Sequence, residues 1–247
     1  RVRLHCLVAA EGHARRHHGQ VEVTTSTPNP WLIQAFHELF RPYTEHFNKL
    51  PFYNRKTGQY EWRISILLDE SFTFLAEPLT LDVSDDEQFW EFMTSFFEGE
   101  SSLKAWFTRS GLKVRVELIN DDWGLVEPAW RGLLERGFEV DHSVSKPRER
   151  GGDVVVSHTL GLTDGHALRF LEEVAPRTRH YEKLLKAEAL LRAARLASQP
   201  WGLEAARSLV EEVRRLVGHG VWHSKQLAEA GVKQRLRAQA RRRREGP

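Results

Sequence analysis

Two glutamates, Glu11 and Glu100, carry the most specific chemical signal in the chain. Each comes near the end of a short apolar segment: Leu4-His5-Cys6-Leu7-Val8-Ala9-Ala10-Glu11-Gly12 and Met93-Thr94-Ser95-Phe96-Phe97-Glu98-Gly99-Glu100-Ser101. Both segments read as helices with small residues four apart, Cys6 and Ala10 in one, Ser95 and Gly99 in the other. Residues so spaced lie on one helix face, so two such helices can pack closely there. That packing brings Glu11 and Glu100 together at helix C-termini, where the dipole is already negative. Two like charges in such a place call for a cation. Carboxylate oxygens suit hard divalent ions, so the pair is a candidate divalent-metal site. Glu98, one turn earlier than Ser101, reads as a structural acid.

Composition narrows the classes. The 247 residues are 40% hydrophobic and 10% aromatic, enough for a large core in one or two domains and inconsistent with disorder. The single cysteine, Cys6, excludes an intrachain disulfide framework and fits a reducing compartment. No apolar run approaches the roughly 20 residues of a membrane span, and no targeting segment is read. The expectation is a cytoplasmic, intracellular protein without a membrane partner. The net charge of +2 hides an asymmetry: residues 225–247 hold eight basic and two acidic side chains, which leaves 28 basic and 32 acidic before them. Any nucleic-acid surface on the body must therefore be a local patch. The histidines at 13, 17 and 18 match no zinc-ligand spacing, and His219 and His223, four apart on a predicted helix, are given no zinc role either.

The elements that must position the glutamates occur twice, in one order. After Glu11, QVEVTT (Gln20 to Thr25) alternates like a strand. A TPNP turn places Pro30 at the start of a helix over Trp31 to Phe40. A polar hairpin turning at Lys56 to Gln59 leads into a strand, Tyr60 to Leu68, and a short helix opened by Asp69 or Glu70. After Glu100, strands are predicted at Leu103 to Thr108 and Lys113 to Ile119 around Ser110-Gly111. A helix capped within Asn120 to Asp122 spans Leu125 to Arg136 and stops at Gly137. Strands follow at Phe138 to Val144 and Asp153 to Thr159, separated by a loop over Lys146 to Gly152. Thr163 or Asp164 caps the next helix, and the pattern is helical from Tyr181, with a basic tail expected to be loose beyond about Arg237.

This arrangement resembles the LAGLIDADG homing endonucleases in their single-chain, two-repeat form. Glu11 and Glu100 fall at the acidic eighth position of the nine-residue motif, and Leu4, Leu7, Val8, Met93, Phe96 and Phe97 match its apolar positions. The two copies stand 89 residues apart and each is followed by the same elements, including FLAEP and FLEEVAP endings. The resemblance implies an α+β fold of two pseudo-symmetric αββαββα repeats. Two antiparallel saddle-forming sheets would cover duplex DNA, with the motif helices at the central interface. Boundaries are expected at 1–83 for the first repeat, 84–190 for the second, and 191–247 for a helical extension with the basic tail.

The resemblance implies a monomeric, intron-encoded or free-standing double-stranded DNA endonuclease with a long, pseudo-palindromic target. Glu11 and Glu100 would be catalytic. The metal, Mg²⁺ or Mn²⁺ with Ca²⁺ as a non-cleaving substitute, would lie among Glu11, Gly12, Glu100 and Ser101. Ser101 replaces the usual motif glycine, and no Lys or Arg stands near Leu67 or Thr159, where the family often has a basic residue. DNA contacts are expected from Arg15, Arg16, His17, His18, Thr25 and Arg63 in the first repeat, and from Lys104, Arg109, Lys113, Arg115 and Asn120 in the second. The alternatives are a cleavage-deficient DNA-binding regulator of the same fold and an RNA-binding splicing maturase.

Overall fold

The structure, a computed structural model, describes residues 1–109, 111–150 and 153–245. In the first half, α1 (Val2–Glu11) leads to β1 (His13–His17), β2 (Gln20–Thr27), α2 (Pro30–Phe40), β3 (Phe47–Asn54), β4 (Gln59–Leu68) and a 3₁₀ helix, Glu70–Ala76. The second half repeats the order: α3 (Asp86–Glu100), β5 (Ser101–Thr108), β6 (Gly111–Asn120), α4 (Trp123–Glu135), β7 (Asp141–Val144), β8 (Arg148–Arg150), β9 (Asp153–Val155), β10 (His158–Thr163) and α5 (Asp164–Val174). A 3₁₀ turn at Ala175–Arg177, α6 (Tyr181–Ala197) and α7 (Leu203–Glu245) complete the chain. The helix starts follow the local chemistry of short polar side chains that satisfy orphan N–H groups. Asn29 accepts from the Trp31 amide at 3.0 Å ahead of Pro30. Asp85 accepts from Gln88 N at 2.9 Å, and Asp122 from Gly124 N at 2.8 Å.

Each half builds a four-stranded antiparallel sheet of the same topology, β1-β2-β4-β3 and β5-β6-β10-β7. The registers match relative to the motif glutamates. Two residues after Glu11, His13 faces Thr24; two residues after Glu100, Ser102 faces Glu117. Counting along from there makes Thr27 the counterpart of Asn120. A shared turn agrees: the Asn29 amide donates to Thr27 Oγ1 at 3.0 Å, and the Asp122 amide to Asn120 Oδ1 at 2.7 Å. The first hairpin is short, as expected, with five residues in β1 against eight in β5.

The chain forms two compact units, residues 1–11 with 79–214, and residues 12–78 with 215–247. In the first, α3 runs through the core. Phe89, Phe92, Met93, Phe96 and Phe97 are fully enclosed by the inner face of the β5-β6-β10-β7 sheet and by α4, α5 and α6. Ala206 and Val210 of α7 join that core. In the second unit, Val21, Val23, Ile64 and Ile66 form the inner sheet face, with Leu32, Ile33, Phe36 and Phe40 of α2 buried beside them. Residues of α7 beyond 214 complete the cover: Trp62 Nε1 donates to Ser224 Oγ at 3.2 Å, and Gly220 and Gly231 leave room for Trp31 and Pro51. Among the described residues no helix is long and apolar enough to cross a membrane.

Three predicted boundaries are corrected. The strand expected from Phe138 begins at Asp141, because residues 137–138 close the end of α4. Gly137 is left-handed (φ 69), Phe138 N reaches Leu133 O at 3.0 Å, and the Phe138 ring sinks against Trp90. The strand expected over Asp153 to Thr159 is split, with β9 pairing β8 and β10 starting at His158. A polar cluster makes the break: Ser157 Oγ donates to Asp121 and accepts from Arg148, and its amide donates to Ser145 Oγ at 2.8 Å. The basic tail is helical to Glu245, as its run of Ala, Gln, Leu and Arg favours. Ser110 in the predicted β5–β6 turn, and Gly152 at the end of the predicted loop, lie outside the described residues.

Gly132 is a tight spot in the core of the first unit, since a Cβ there would stand 2.2 Å from Phe89 Cε2. Gly132→Ala should therefore lower stability by about 1–3 kcal/mol through overpacking. Urea unfolding tests this, and a change below about 0.5 kcal/mol would mean α4 does not press on Phe89 as described.

Candidate functional site

The site lies in the first unit, at the seam of α1 and α3. Small residues set the approach. Ser95 Oγ donates to the Arg3 carbonyl at 3.1 Å, and Cys6 is buried in the seam. A Cβ on Gly99 would lie 2.8 Å from Glu11 Cγ and 3.2 Å from Ala10 Cβ, so the Glu11 side chain rests directly on the α3 backbone. Glu98 locks the seam from behind. Its carboxylate accepts from Arg3 at 2.8 Å, from the His180 amide at 3.1 Å and from the Arg179 amide. Burial pushes the Glu98 carboxyl up, against the opposing pull of Arg3 and these amides. Glu98 thus fixes the entry to α6, and α6 carries Lys183.

Glu11 and Glu100 converge at this seam. Loss of water raises the Glu11 carboxyl to about 8; the neighbouring Glu100 charge pushes the same way and Lys183 opposes both. Glu100 Oε1 accepts from Asn120 Nδ2 at 2.9 Å, which holds that carboxylate toward β6. Lys183 Nζ donates to the Ser101 carbonyl and lies 3.2 Å from Ser101 Oγ. Desolvation pulls Lys183 down to about 8, although Glu182, Glu11 and Glu100 favour its charge. The result is two carboxylates and one ammonium in a half-buried seam, with Asn120 as orienting donor.

These residues fit a divalent ion of the Mg²⁺ kind. Among the described residues no cluster of three or more His, Cys, Asp and Glu side chains forms a closed metal cage. Mg²⁺ does not need one, because it is commonly held by one or two carboxylates and keeps its remaining positions for water and phosphate oxygens. A partly desolvated carboxyl raised to about 8 is a group that such a cation would ionise. Ser101, expected beside the metal, gives its carbonyl to Lys183 and its hydroxyl to Phe97 O at 2.5 Å. Gly12 directly follows α1 and precedes β1.

Lys183 was not anticipated from the sequence. Its signal was there: Lys183, Ala187 and Leu190 share one face of α6, and the last two are buried. A lysine on an apolar stripe is a charge directed inward. Thr27 was also missed, since only the strand register shows it, not Thr25, to be the counterpart of Asn120.

Strand pairing distributes the predicted DNA contacts over both faces of each sheet. In the second unit, Arg15, His17 and Arg63 lie on the outer face. Arg15 pairs with Glu22 at 2.6 Å, and Arg63 stacks over Phe52 at 4.8 Å. His18 is left-handed (φ 49) in the β1–β2 turn. Arg16 lies on the other face, paired with Glu77 at 2.9 Å, and Thr25 lies on the inner face beside Val21 and Val23. In the first unit, Lys104, Lys113 and Arg115 share the outer face with Glu117, and Arg109 is exposed at the β5–β6 turn. Glu117 binds Lys104 at 2.5 Å and Arg115 at 3.0 Å, while Asp164 binds Lys113 at 2.8 Å. Gly161 lets Arg115 lie flat across β10, since a Cβ there would stand 2.6 Å from its Nη2. The cations of both sheet faces are thus largely matched by the protein's own carboxylates.

Comparison with solved structures places the fold. The homing endonuclease I-WcaI bound to its DNA recognition sequence aligns with a TM-score of 0.51 at 12% identity, over 74% of this chain and 84% of that one. I-DmoI in complex with DNA and Mn aligns with a TM-score of 0.46 at 14% identity, over 70% and 94%. Full-length DUF199/WhiA from Thermatoga maritima aligns with a TM-score of 0.46 at 14% identity, over 93% and 90%. No protein-family profile matches the chain, and no curated protein does. The chain has the two-repeat fold of the single-chain LAGLIDADG homing endonucleases.

The two shifted groups give the metal-free protein a distinctive pH profile. Glu11 binds its proton more tightly when folded, so stability falls as pH rises from about 4.5 to about 8. Lys183 holds its proton less tightly when folded, so stability rises from about 8 toward 10.5. Both contributions place a minimum near pH 8. With chelator present, Glu11→Gln should match the parent in thermal unfolding at pH 5 and exceed it at pH 8. A variant less stable than the parent at both values would show that Glu11 is not a strained buried acid.

Proposed function

We propose that this protein is a divalent-metal-dependent endonuclease acting on double-stranded DNA. The observation that carries the reading is the convergence of Glu11 and Glu100 across the Gly99 gap, with Asn120 and Lys183 directed at the same place. Glu11 and Glu100 would hold Mg²⁺ or Mn²⁺. When bound, the ion lowers the pKa of an attacking water and neutralises charge on the departing 3′ oxygen. Gly99 allows Glu11 to lie against α3, and Asn120 fixes the rotamer of Glu100. Lys183 supplies positive charge where neither late strand has a basic side chain near Leu67 or Thr159, and it limits the repulsion between the two acids. The fold shared with I-WcaI, a homing endonuclease bound to its recognition sequence, supports duplex DNA as substrate. The outer face of each sheet is a β-surface of the kind that enters a major groove. The two faces differ in sequence, which favours a monomer on a long, only partly palindromic site.

A second reading is a DNA-binding regulator that does not cut. The position of Lys183 favours it: an ammonium already serves as counter-ion to the glutamates and occupies the Ser101 carbonyl.

Cleavage of a randomised duplex library in Mg²⁺, with chelator as control, separates the two readings. The endonuclease reading predicts a discrete cut site in Mg²⁺ and none in chelator. Glu11→Gln should lower the cutting rate at least 100-fold and leave duplex affinity within about threefold, as expected for removal of a metal ligand rather than a binding contact. Tight, metal-independent duplex binding without scission would favour the regulator instead.

A further inference from the structure

The positive charge of this chain is concentrated toward its C-terminal end. Residues 215–247 hold nine basic and two acidic side chains, while the rest of the chain holds 27 basic and 32 acidic ones. All nine belong to α7, which covers the inner face of the β1-β2-β4-β3 sheet. Trp62, hydrogen-bonded to Ser224, and Pro51, packed on Gly231, both point to that inner face. The exposed side of α7 therefore looks away from the sheet surface that carries Arg15 and Arg63.

Arg215, His219, Trp222, Gln226, Lys233 and Arg237 follow one another at spacings of three, four or seven along that exposed side. Among the described residues Arg215 and Arg237 have no carboxylate within ion-pair distance, in contrast to Lys104, Lys113 and Arg115, while Lys233 pairs with Glu229 at 2.6 Å along the helix. Trp222 is 55% exposed, with the His219 ring centroid 5.8 Å away. The stripe is too polar for a coiled-coil seam, which needs apolar residues at these spacings. At 1.5 Å per residue it runs about 33 Å from Arg215 to Arg237. A cationic stripe with an unburied indole beside an imidazole matches what an unpaired strand offers, phosphates together with open base faces. A duplex offers no such face, because its bases are stacked.

We propose that the exposed side of α7 is a second binding surface, for single-stranded nucleic acid, separate from the duplex surface of the sheets. Phosphates pair with Arg215, Lys233 and Arg237, and a base stacks on Trp222. The inference stands on the charge and exposure of α7 and does not require the nuclease reading to hold.

The test uses the full chain and two probes of equal length, a mixed-sequence RNA 15-mer and its DNA equivalent, with a duplex as third arm. The triple variant Arg215→Gln, Lys233→Gln, Arg237→Gln should bind both single strands about tenfold or more weakly. Its plot of log affinity against log salt should flatten by about two, from a contribution near 0.7 per neutralised phosphate. Duplex affinity should change less than threefold. Trp222→Phe should lose most of the fluorescence quenching caused by the single strands while retaining the parent's circular dichroism. Preference for RNA over DNA, or the reverse, would identify which strand the surface serves. Unchanged single-strand affinity and salt slope in the triple variant would overturn the proposal. So would an equal loss for the duplex, which would make α7 part of one common site, or tighter binding to phosphatidylserine vesicles than to either oligonucleotide. Plasmid cutting, measured separately in the same variants, reports on the nuclease reading alone.

Discussion

Two carboxylates forced toward each other in a half-buried helix seam are the constraint around which the first unit is arranged. Bringing Glu11 against Glu100 costs energy twice, through lost hydration and through like-charge repulsion. The structure opposes that cost with several groups acting together. Gly99 removes the side chain that would keep α1 and α3 apart, and Ser95 ties α3 to the α1 backbone. Glu98 gathers Arg3 and the amides ahead of α6, which delivers Lys183 to the glutamates. A protein selected only for stability would place apolar residues at such a seam, as it does one turn away at Phe96 and Phe97. Retention of the acids is the physical reason to read the place as a site.

Electrostatics divide the rest of the surface. The sheet faces carry cations, but Glu22, Glu117 and Asp164 already hold several of them. Such faces favour groove contacts that exchange one well-placed partner for another, and so favour discrimination over raw attraction. On α7, Arg215 and Arg237 are without a carboxylate partner among the described residues, and attraction there needs less geometric precision. Glu22 and Glu117 are both held below the usual carboxylate range: hydrogen bonds from Arg15 and Ser65 act on Glu22, and for Glu117 those from Lys104 and Arg115 outweigh its partial burial.

Much of this was legible in the sequence because it depends on short spacing. The apolar-small-acid pattern located both motif helices, and Asn29, Asp122 and Gly137 marked helix ends by local hydrogen bonding or backbone freedom. Repetition of the same order of elements carried the family resemblance, which implied two antiparallel sheets; their strand order came from the structure. What was not legible depends on residues distant in the chain. Lys183 reaches Ser101 only because Glu98 anchors the start of α6. The pairing of Lys113 with Asp164 requires α5 to begin beside β6. The start of β10 was misplaced because Asp121 and Arg148 hold Ser157 in a polar cluster that no alternation pattern encodes. The tail was read as loose from its charge, although its residues have high helix propensity.

Calorimetric titration of Mn²⁺ into the chelator-treated protein near pH 7.5, repeated in buffers of different ionisation enthalpy, addresses the paired acids most directly. One ion should bind per chain and displace close to one proton, the one Glu11 retains in the metal-free seam, and Glu11→Gln and Glu100→Gln should each abolish that event. Binding that survives both substitutions, or no binding at millimolar metal, would contradict a metal-holding role for this pair.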